Sequence, residues 1–175
     1  GNNAEEQSHS YLVAFDLETG KMRWHTLREY ECAEESDQSY TTPQVVDVDG
    51  KETIVTFGAD HLTGHDAATG KLLWEVGNFN PRNERAWRTI ASLAVDDDIA
   101  VIPYGRGQFV AGIQLDGKGA ANQSNRIWEK QNIAGYVPTP IISDGKVYIL
   151  NDTGGLTCLA LQSGDELCTA NLPKN

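Results

Sequence analysis

The sequence predicts an all-β protein built from one small sheet that is repeated along the chain. An eleven-residue phrase, Ala14 to Trp24, returns fifty positions later as Gly64 to Trp74. Both copies carry an Asp, a Thr-Gly-Lys run and a final Trp in the same order. Because glycine accepts the positive φ of a tight hairpin, each copy is predicted to be two strands joined by a turn.

The hairpin register predicts which side chains share a face of the sheet. A loop at residues 18–20 sets Ala14 opposite Trp24, and the second copy repeats this with Gly64 opposite Trp74. Directly opposed residues lie on the same face, so each small residue makes room for an indole ring.

Two weaker copies of the phrase follow. Cys158 to Cys168 keeps the turn glycine, Gly164, but has no Trp. Val110 to Leu115 followed by Arg126 to Trp128 keeps the Trp, and a longer polar loop, Asp116 to Asn125, replaces the tight turn.

A second phrase lies upstream of each later copy and adds two strands to it. The predicted strand pairs are Thr42 to Val48 with Thr53 to Phe57, Ile90 to Val95 with Ile99 to Tyr104, and Thr139 to Ser143 with Val147 to Leu150. Asp-rich turns separate the members of each pair. The repeated unit is therefore four antiparallel strands, which is the size of one β-propeller blade.

The predicted fold is a partial β-propeller that forms a single unit over residues 1–175. It has a half blade at 11–26 and three blades at about 40–76, 90–131 and 137–171. Closed rings have about 4–8 blades, so we expect the chain to be part of a larger ring. An open arc leaves unpaired strand edges, which predicts self-association.

The phrase Ala-x-Asp-x-x-Thr-Gly-Lys-x-x-Trp resembles the tryptophan-docking motif of quinoprotein-type, PQQ-like β-propellers. Residues 14–24 match it fully, and residues 64–74 match it except at Gly64. The resemblance implies that each Trp packs between neighbouring blades. The residues to which it assigns a structural role are Trp24, Trp74, Trp128, Gly20, Gly70 and Gly164.

Two of the three cysteines occupy the Ala and Trp positions of the phrase. The register sets Cys158 opposite Cys168, and opposed Cβ atoms lie about 4.5–5.5 Å apart, close to disulfide reach. This spacing predicts a cross-strand disulfide, with two buried thiols as the alternative. Cys32 lies in an acidic segment without an evident partner.

The charge balance excludes some classes of partner. The net charge of −11 disfavours binding to the phosphates of a nucleic acid. No apolar stretch is long enough to span a membrane. No secretion signal is visible, and a periplasmic or extracellular location is implied by the family resemblance alone.

A binding site is predicted at the mouth of the propeller, where the loops between blades meet the loops between second and third strands. Residues 80–88 hold three Arg and one Trp in an acidic chain. Arg side chains would bind an anion or carboxylate, and Trp87 and Tyr136 would stack on a ligand. Alternatively, these Arg pair with carboxylates of neighbouring blades and Trp87 fills a gap. The predicted ligand-binding residues are Asp60, Arg82, Arg85, Trp87, Arg88, Arg106, Tyr136 and Asp152.

Neither a metal site nor catalytic residues are predicted. His61 and His65 are too far apart along one strand to share a metal, and Asp47 to Gly50 is better explained as a strand-ending turn than as a calcium loop. The adjacent Cys-Cys pair of PQQ-dependent dehydrogenases is missing. PQQ and calcium are therefore not predicted as cofactors.

The predicted function is a non-catalytic binding or scaffolding module of an exported protein, with a protein or small ligand at the mouth. In this respect the chain resembles the scaffolding members of the family. Two alternatives remain open: a fragment of a PQQ-dependent oxidoreductase, and a carbohydrate-binding propeller.

Overall fold

The computed structural model describes residues 10–115 and 125–173, and over these residues the protein is all-β, as predicted. A two-stranded antiparallel sheet, the half blade, is followed by three four-stranded sheets, blades 1 to 3. The half blade consists of β1 (Tyr11–Phe15) and β2 (Met22–Leu27). Blade 1 consists of β3 (Gln44–Val48), β4 (Lys51–Gly58), β5 (His61–Asp66) and β6 (Leu72–Val76).

The other two blades have the same sequential order of strands. Blade 2 consists of β7 (Ala94–Asp96), β8 (Ile99–Tyr104), β9 (Phe109–Gln114) and β10 (Arg126–Gln131). Blade 3 consists of β11 (Ile141–Ser143), β12 (Lys146–Leu150), β13 (Gly155–Ala160) and β14 (Glu166–Asn171). A short 3₁₀ helix, Glu34–Asp37, lies in the connection between β2 and β3. Within the described residues, no helix has the length and apolar character needed to cross a bilayer.

The blades stand side by side with their first strands innermost. β7 contacts both β3 and β11, so the first strands of successive blades are neighbours. Apolar side chains fill the spaces between the sheets: Phe57 and Ile102 belong to the cluster between blades 1 and 2, and Val147 and Leu159 to the cluster between blades 2 and 3. Each fully buried side chain of this size stabilises the fold by about 1.5–3 kcal/mol.

The register places a small residue opposite each Trp, as predicted. Ala14 pairs with Trp24 and Gly64 with Trp74. A Cβ atom added at Gly64 would lie 2.1 Å from the Trp74 ring, so no larger residue fits under this indole.

Two indoles also contact the hairpin turn of the following blade. Trp24 Nε1 donates to the Ala67 carbonyl at 3.1 Å, and Trp128 Nε1 donates to the Leu161 carbonyl at 2.7 Å. Ala67 and Leu161 occupy the same position, three residues before the turn glycine. The two joints between sheets therefore repeat one hydrogen bond.

The turn glycines provide the surface on which these indoles lie. A Cβ atom at Gly70 would lie 2.4 Å from the Trp24 ring, and one at Gly164 would lie 2.7 Å from the Trp128 ring. Both glycines have a positive φ, of 74° and 68°, which side chains disfavour in any case. Gly20 has the same φ sign, and a Cβ there would meet nothing within 4 Å.

The joint between blades 1 and 2 differs from the other two. Trp74 is buried, but its Nε1 has no hydrogen-bond partner in the part of the chain that the structure describes. Blade 2 lacks the tight turn at this position, and most of its predicted loop, residues 116–124, lies outside the described residues. Arg126, directly after that loop, lies over the Phe79 ring at 4.6 Å and donates to Glu129 at 2.7 Å.

The Asp and Thr of the repeated phrase close the turn. Asp16 Oδ1 accepts hydrogen bonds from the Thr19 amide at 2.9 Å and the Thr19 hydroxyl at 2.8 Å. Asp16 N donates to the Lys21 carbonyl, so the turn begins one residue earlier than the predicted loop at 18–20. A bulge after Ala14 accounts for the shift. In the second copy, hydrogen bonds from Lys51 and then Thr69 lower the pKa of Asp66 to about 2.

The first strands of the blades begin later than predicted. Blade 2 was expected to start at Ile90, and β7 starts at Ala94. The residues before it use their backbone groups elsewhere: Thr89 N donates to the Gln38 carbonyl, and Ala91 N donates to the Tyr136 carbonyl. β3 and β11 begin directly after a proline, which lacks the amide donor that a strand ladder needs.

Cys158 and Cys168 face each other across β13 and β14, as the register predicts. All three cysteines are free thiols in this structure, with Cys158 buried and Cys168 exposed. Burial raises the pKa of the Cys158 thiol, and the neighbouring Cys168 raises it further. The disulfide stays a prediction, and the alternative of two buried thiols is wrong for Cys168, which is exposed.

A buried polar network joins the half blade to blade 1. Arg28 Nε donates to the Thr63 hydroxyl at 3.0 Å, and Arg28 Nη2 donates to the carbonyls of Gly58 and His61 at 2.9 and 2.7 Å. The Thr63 oxygen also lies 3.1 Å from His65 Nε2. Since the Gly70 carbonyl can only accept, His65 Nδ1 donates to it at 3.1 Å, and in the neutral ring the Thr63 hydroxyl donates to His65 Nε2.

This network predicts that the fold weakens in mild acid. Burial lowers the pKa of His65 below its ordinary value of 6.5, and Arg28 lowers it further. The unfolded chain binds a proton at this His more readily, so stability is complete above about pH 6.5 and falls as the pH drops below it. Urea unfolding between pH 7.5 and 5.5 measures the slope of the free energy of unfolding against pH, and His65→Gln should flatten this slope. An unchanged slope in that variant would exclude His65 as the cause.

Candidate binding site at the loop end of the sheets

One end of the sheets carries all of the predicted ligand-binding residues, and we call this end the mouth. It is formed by the connections between sheets, residues 28–43, 77–93 and 132–140, and by the turns after β4, β8 and β12. The two sets of loops touch: Arg106 Nη1 lies 3.4 Å from the Ala86 carbonyl, and Asp152 accepts from the backbone of Tyr136.

Asn80 organises the first part of the Arg-rich segment. Its Nδ2 donates to Asp60 Oδ2 at 3.1 Å and to the Glu84 carbonyl at 3.0 Å, and its Oδ1 accepts from the Glu84 amide at 2.8 Å. Burial raises the pKa of Asp60, while the Asn80 hydrogen bond opposes this shift. In this structure Asp60 therefore anchors the loop on the turn of blade 1.

Two of the three Arg in the segment form ion pairs with the 3₁₀ helix. Arg85 contacts Glu34, and Arg88 Nη2 lies 2.9 Å from Glu35 Oε2. The Ser39–Thr89 bridge and the bond from Glu35 N to the Arg85 carbonyl hold these two connections together. Arg85 and Arg88 thus form ion pairs between neighbouring connections, which is the predicted alternative to ligand binding for these two residues.

The other two members of the segment have different surroundings. Trp87 is half-buried, its ring lies 5.7 Å from that of Phe109, and it also approaches the Gly105 turn. Trp87 therefore fills space between blades 1 and 2. Arg82 is exposed at the tip of the loop and forms no ion pair with any residue that the structure describes.

Three of the predicted residues meet in a shallow groove between the loops. Arg88, Arg106 and Tyr136 line it, together with Thr89, Tyr104 and Gly135. The Arg106 guanidinium lies over the Tyr136 ring at 4.7 Å. Arg88 Nε is buried and has no hydrogen-bond partner in residues 10–115 and 125–173. We call this feature the Arg groove.

Asp152 positions the Arg groove rather than lining it. Its carboxylate accepts from the Tyr136 amide at 2.7 Å and from the Val137 amide at 3.4 Å. These bonds fix the loop that presents the Tyr136 ring to Arg106. The predicted site residues thus divide into a groove of three, supporting residues around it, and Arg82 at an exposed loop tip.

Sequence reasoning missed the acidic 3₁₀ helix and Arg28. Glu34 and Glu35 are about fifty residues from the Arg that they contact. Arg28 is a single basic residue in an acidic connection, and no pattern in the sequence distinguishes it from an exposed Arg. The one sequence pattern that pointed to these ion pairs was the acidic composition of residues 29–37 together with the three Arg of residues 82–88.

The opposite end of the sheets carries a cluster of aspartates. A cavity of about 450 Å³ there is lined by Val46, Val95 and four aspartates, Asp47, Asp96, Asp97 and Asp98. Asp47 Oδ1 accepts from the Gly50 amide at 2.7 Å, as in a strand-ending turn. Within the described residues, no group of three or more His, Cys, Asp or Glu is placed to hold a metal ion.

Comparison with known proteins identifies a family and several solved structures that are similar to this chain. A family model described as outer membrane protein assembly factor BamB matches residues 6–170. No sequence among curated proteins matches the chain. The structure is similar to BamB from Moraxella catarrhalis, with a TM-score of 0.60 and 18% identity over 92% of this chain and 42% of that one.

Two further structures share the fold. Quinohemoprotein alcohol dehydrogenase from Comamonas testosteroni has a TM-score of 0.62 and 13% identity, over 93% of this chain and 32% of that one. The computationally designed Ika8 protein has a TM-score of 0.58 and 16% identity, over 89% of this chain and 42% of that one. This chain therefore spans less than half the length of each of these three proteins.

At these identities the structures show a common fold, and the family model covers nearly the whole chain. The chain belongs to the PQQ-like β-propeller repeat family, and the family model that it matches is described as outer membrane protein assembly factor BamB.

Proposed function

We propose that this chain is a non-catalytic binding or scaffolding module whose mouth holds an acidic segment of a partner protein. The observation that carries the proposal is the Arg groove, in which Arg88 and Arg106 line one surface beside Tyr136. Arg88 already pairs with Glu35, whereas Arg106 is in no ion pair within the described residues. The Arg106 guanidinium favours a carboxylate, since Arg donors match carboxylate oxygens in geometry and charge.

The shape of the groove favours a protein over an enclosed small molecule. Small-molecule sites usually have volumes of about 300–1,000 Å³ and bury most of the ligand, whereas the Arg groove has a volume of only about 10 Å³. Arg and Tyr are also enriched where proteins bind one another.

The proposed location is periplasmic or extracellular. The support for it is the family description, outer membrane protein assembly factor, together with the resemblance of the repeated phrase. A scaffold for other proteins at an outer membrane fits a surface that is acidic overall and basic at one groove. Because this chain spans 42% of the Moraxella catarrhalis protein, such a role in assembly is part of the proposal.

Binding of acidic peptides tests the proposal directly. On an array of short peptides, we expect hits to contain Asp or Glu, and Arg106→Gln should weaken them by about tenfold, equivalent to about 1.4 kcal/mol. Arg23→Gln is the matched control, because it removes the same charge from an exposed strand of the half blade. Equal loss of peptide binding in both variants would show that the effect depends on net charge alone. An array without acidic hits would contradict the proposal.

Neither alternative function has a specific observation in its favour. The three cysteines are at positions 32, 158 and 168, so the adjacent pair of a PQQ-dependent dehydrogenase is missing, and we propose no PQQ or calcium. For a carbohydrate-binding propeller, the aromatic platform would be Trp87, and part of that ring already packs on blade 2. A glycan array and a thermal shift with PQQ and calcium would each test one alternative.

A further inference from the structure

Glu35 is an acidic residue that the chain itself places against the Arg groove. Its Oε2 lies 2.9 Å from Arg88 Nη2, and Arg88 lines the groove together with Arg106. The side chains of Arg88 and Glu35 are 32% and 39% exposed, so this ion pair is open to solvent at the mouth. One of the two Arg of the groove therefore already has a carboxylate partner.

The backbone around Glu35 is held by hydrogen bonds that do not involve its carboxylate. Glu35 N donates to the Arg85 carbonyl at 2.9 Å. Ser36 is fully buried, and its Oγ donates to the Glu84 carbonyl at 3.0 Å and accepts from Asn80 Nδ2 at 3.2 Å. The 3₁₀ helix should therefore keep its position when the charge of Glu35 is removed.

Glu34 provides an internal comparison, because it is adjacent to Glu35 and forms the same kind of ion pair at a different place. It contacts Arg85, and both side chains of this pair are more exposed than those of the Glu35–Arg88 pair. In the part of the chain that the structure describes, Arg85 is outside the lining of the Arg groove. The two glutamates thus differ in whether the Arg that they contact lines the groove.

We propose that Glu35 is an internal competitor of the acidic partner segment, and that it lowers the affinity of the Arg groove by neutralising Arg88. The inference rests on the proposed function, since it requires that the groove binds carboxylates. A carboxylate bound beside Arg106 enters a groove in which Glu35 already pairs with the second Arg. The partner gains an interaction with Arg88 only by displacing Glu35. Because one ion pair is then broken for each one formed, Arg88 adds little to the affinity while Glu35 is present.

Calorimetric titration of the full chain with an acetylated and amidated peptide of four glutamates tests the proposal. Glu35→Gln should bind this peptide about three- to fivefold more tightly than wild type, which is the range expected for a partly exposed ion pair. Glu34→Gln is the matched control, because it removes the same charge one residue away. Its affinity should stay within about twofold of wild type. All titrations use the same salt concentration, because screening weakens these interactions.

A double variant shows whether the effect depends on Arg88. In an Arg88→Gln background, Glu35→Gln should give no larger gain than Glu34→Gln, because there is no guanidinium for Glu35 to neutralise. Arg106→Gln locates the peptide, since binding at the groove should weaken about tenfold in this variant. Circular dichroism confirms that each variant is folded before its affinity is compared.

The outcomes separate this proposal from the proposed function. A gain that is specific to Glu35→Gln and disappears without Arg88 would support the competitor role. Equal gains in Glu34→Gln and Glu35→Gln, or a gain that persists without Arg88, would overturn it. If wild type binds the peptide and Glu35→Gln binds it equally or more weakly, Glu35 is not a competitor and the proposed function stands. If neither protein binds the peptide, both proposals are overturned.

Discussion

Replacing Trp128 by alanine is expected to lower the free energy of unfolding by about 3–5 kcal/mol. The indole is buried between blades 2 and 3, lies on Gly164 and donates to the Leu161 carbonyl at 2.7 Å. Truncation would leave a cavity with rigid walls and an unpaired carbonyl. Urea unfolding followed by circular dichroism measures the change, at a concentration where the oligomeric state is constant.

A pair of phenylalanine variants separates the hydrogen bond from the packing. Trp128→Phe removes a bonded donor and leaves the Leu161 carbonyl unpaired, which costs about 1–3 kcal/mol. Trp74→Phe removes an Nε1 that has no partner among the described residues, so its cost should be smaller. Equal costs in the two variants would show that the hydrogen bond to Leu161 contributes little.

The second large effect is expected at Arg28. Arg28→Met should lower the free energy of unfolding by about 2–4 kcal/mol, because the Thr63 hydroxyl and the carbonyls of Gly58 and His61 lose their donor. The substitution also removes the desolvation cost of the buried charge, which acts to raise the free energy of unfolding. Three acceptors that each lose a hydrogen bond outweigh this relief.

Arg23→Met is the matched control for this prediction. Arg23 lies on β2, is exposed, and loses the same charge in the same substitution. Its effect should be within about 0.5 kcal/mol, as is usual at an exposed site. Hydrogen exchange adds a local readout, since loss of Arg28 should speed exchange of the β2 amides before those of blade 2. Similar changes in both variants would contradict the role assigned to the buried network.

The repeated phrase allowed the fold and the register to be predicted. A hairpin is a local structure: its turn chemistry lies within a few residues, and the small residue opposite Trp24 or Trp74 is determined by counting from the turn. The one-residue error at the turn after Asp16 arose from a bulge. The late start of β7 arose from non-local bonds, since Thr89 and Ala91 pair with residues far away in sequence.

The mouth could be predicted only as a group of loops. Alternation of apolar residues locates strands, but it does not show which loop side chains meet. Arg85 and Arg88 were candidates for ligand binding, and the structure pairs them with Glu34 and Glu35. Arg106 and Tyr136 come from different loops, and their contact depends on how blade 3 stands beside blade 2.

The sequence by itself predicts the number of sheets, the order of their strands and the residue opposite each Trp of the repeated phrase, because local turns and hairpin pairing determine all three. The tertiary structure decided which Arg form ion pairs and how Arg28 is buried. These features depend on side chains that are distant in sequence and become neighbours only when the blades are arranged around a common axis.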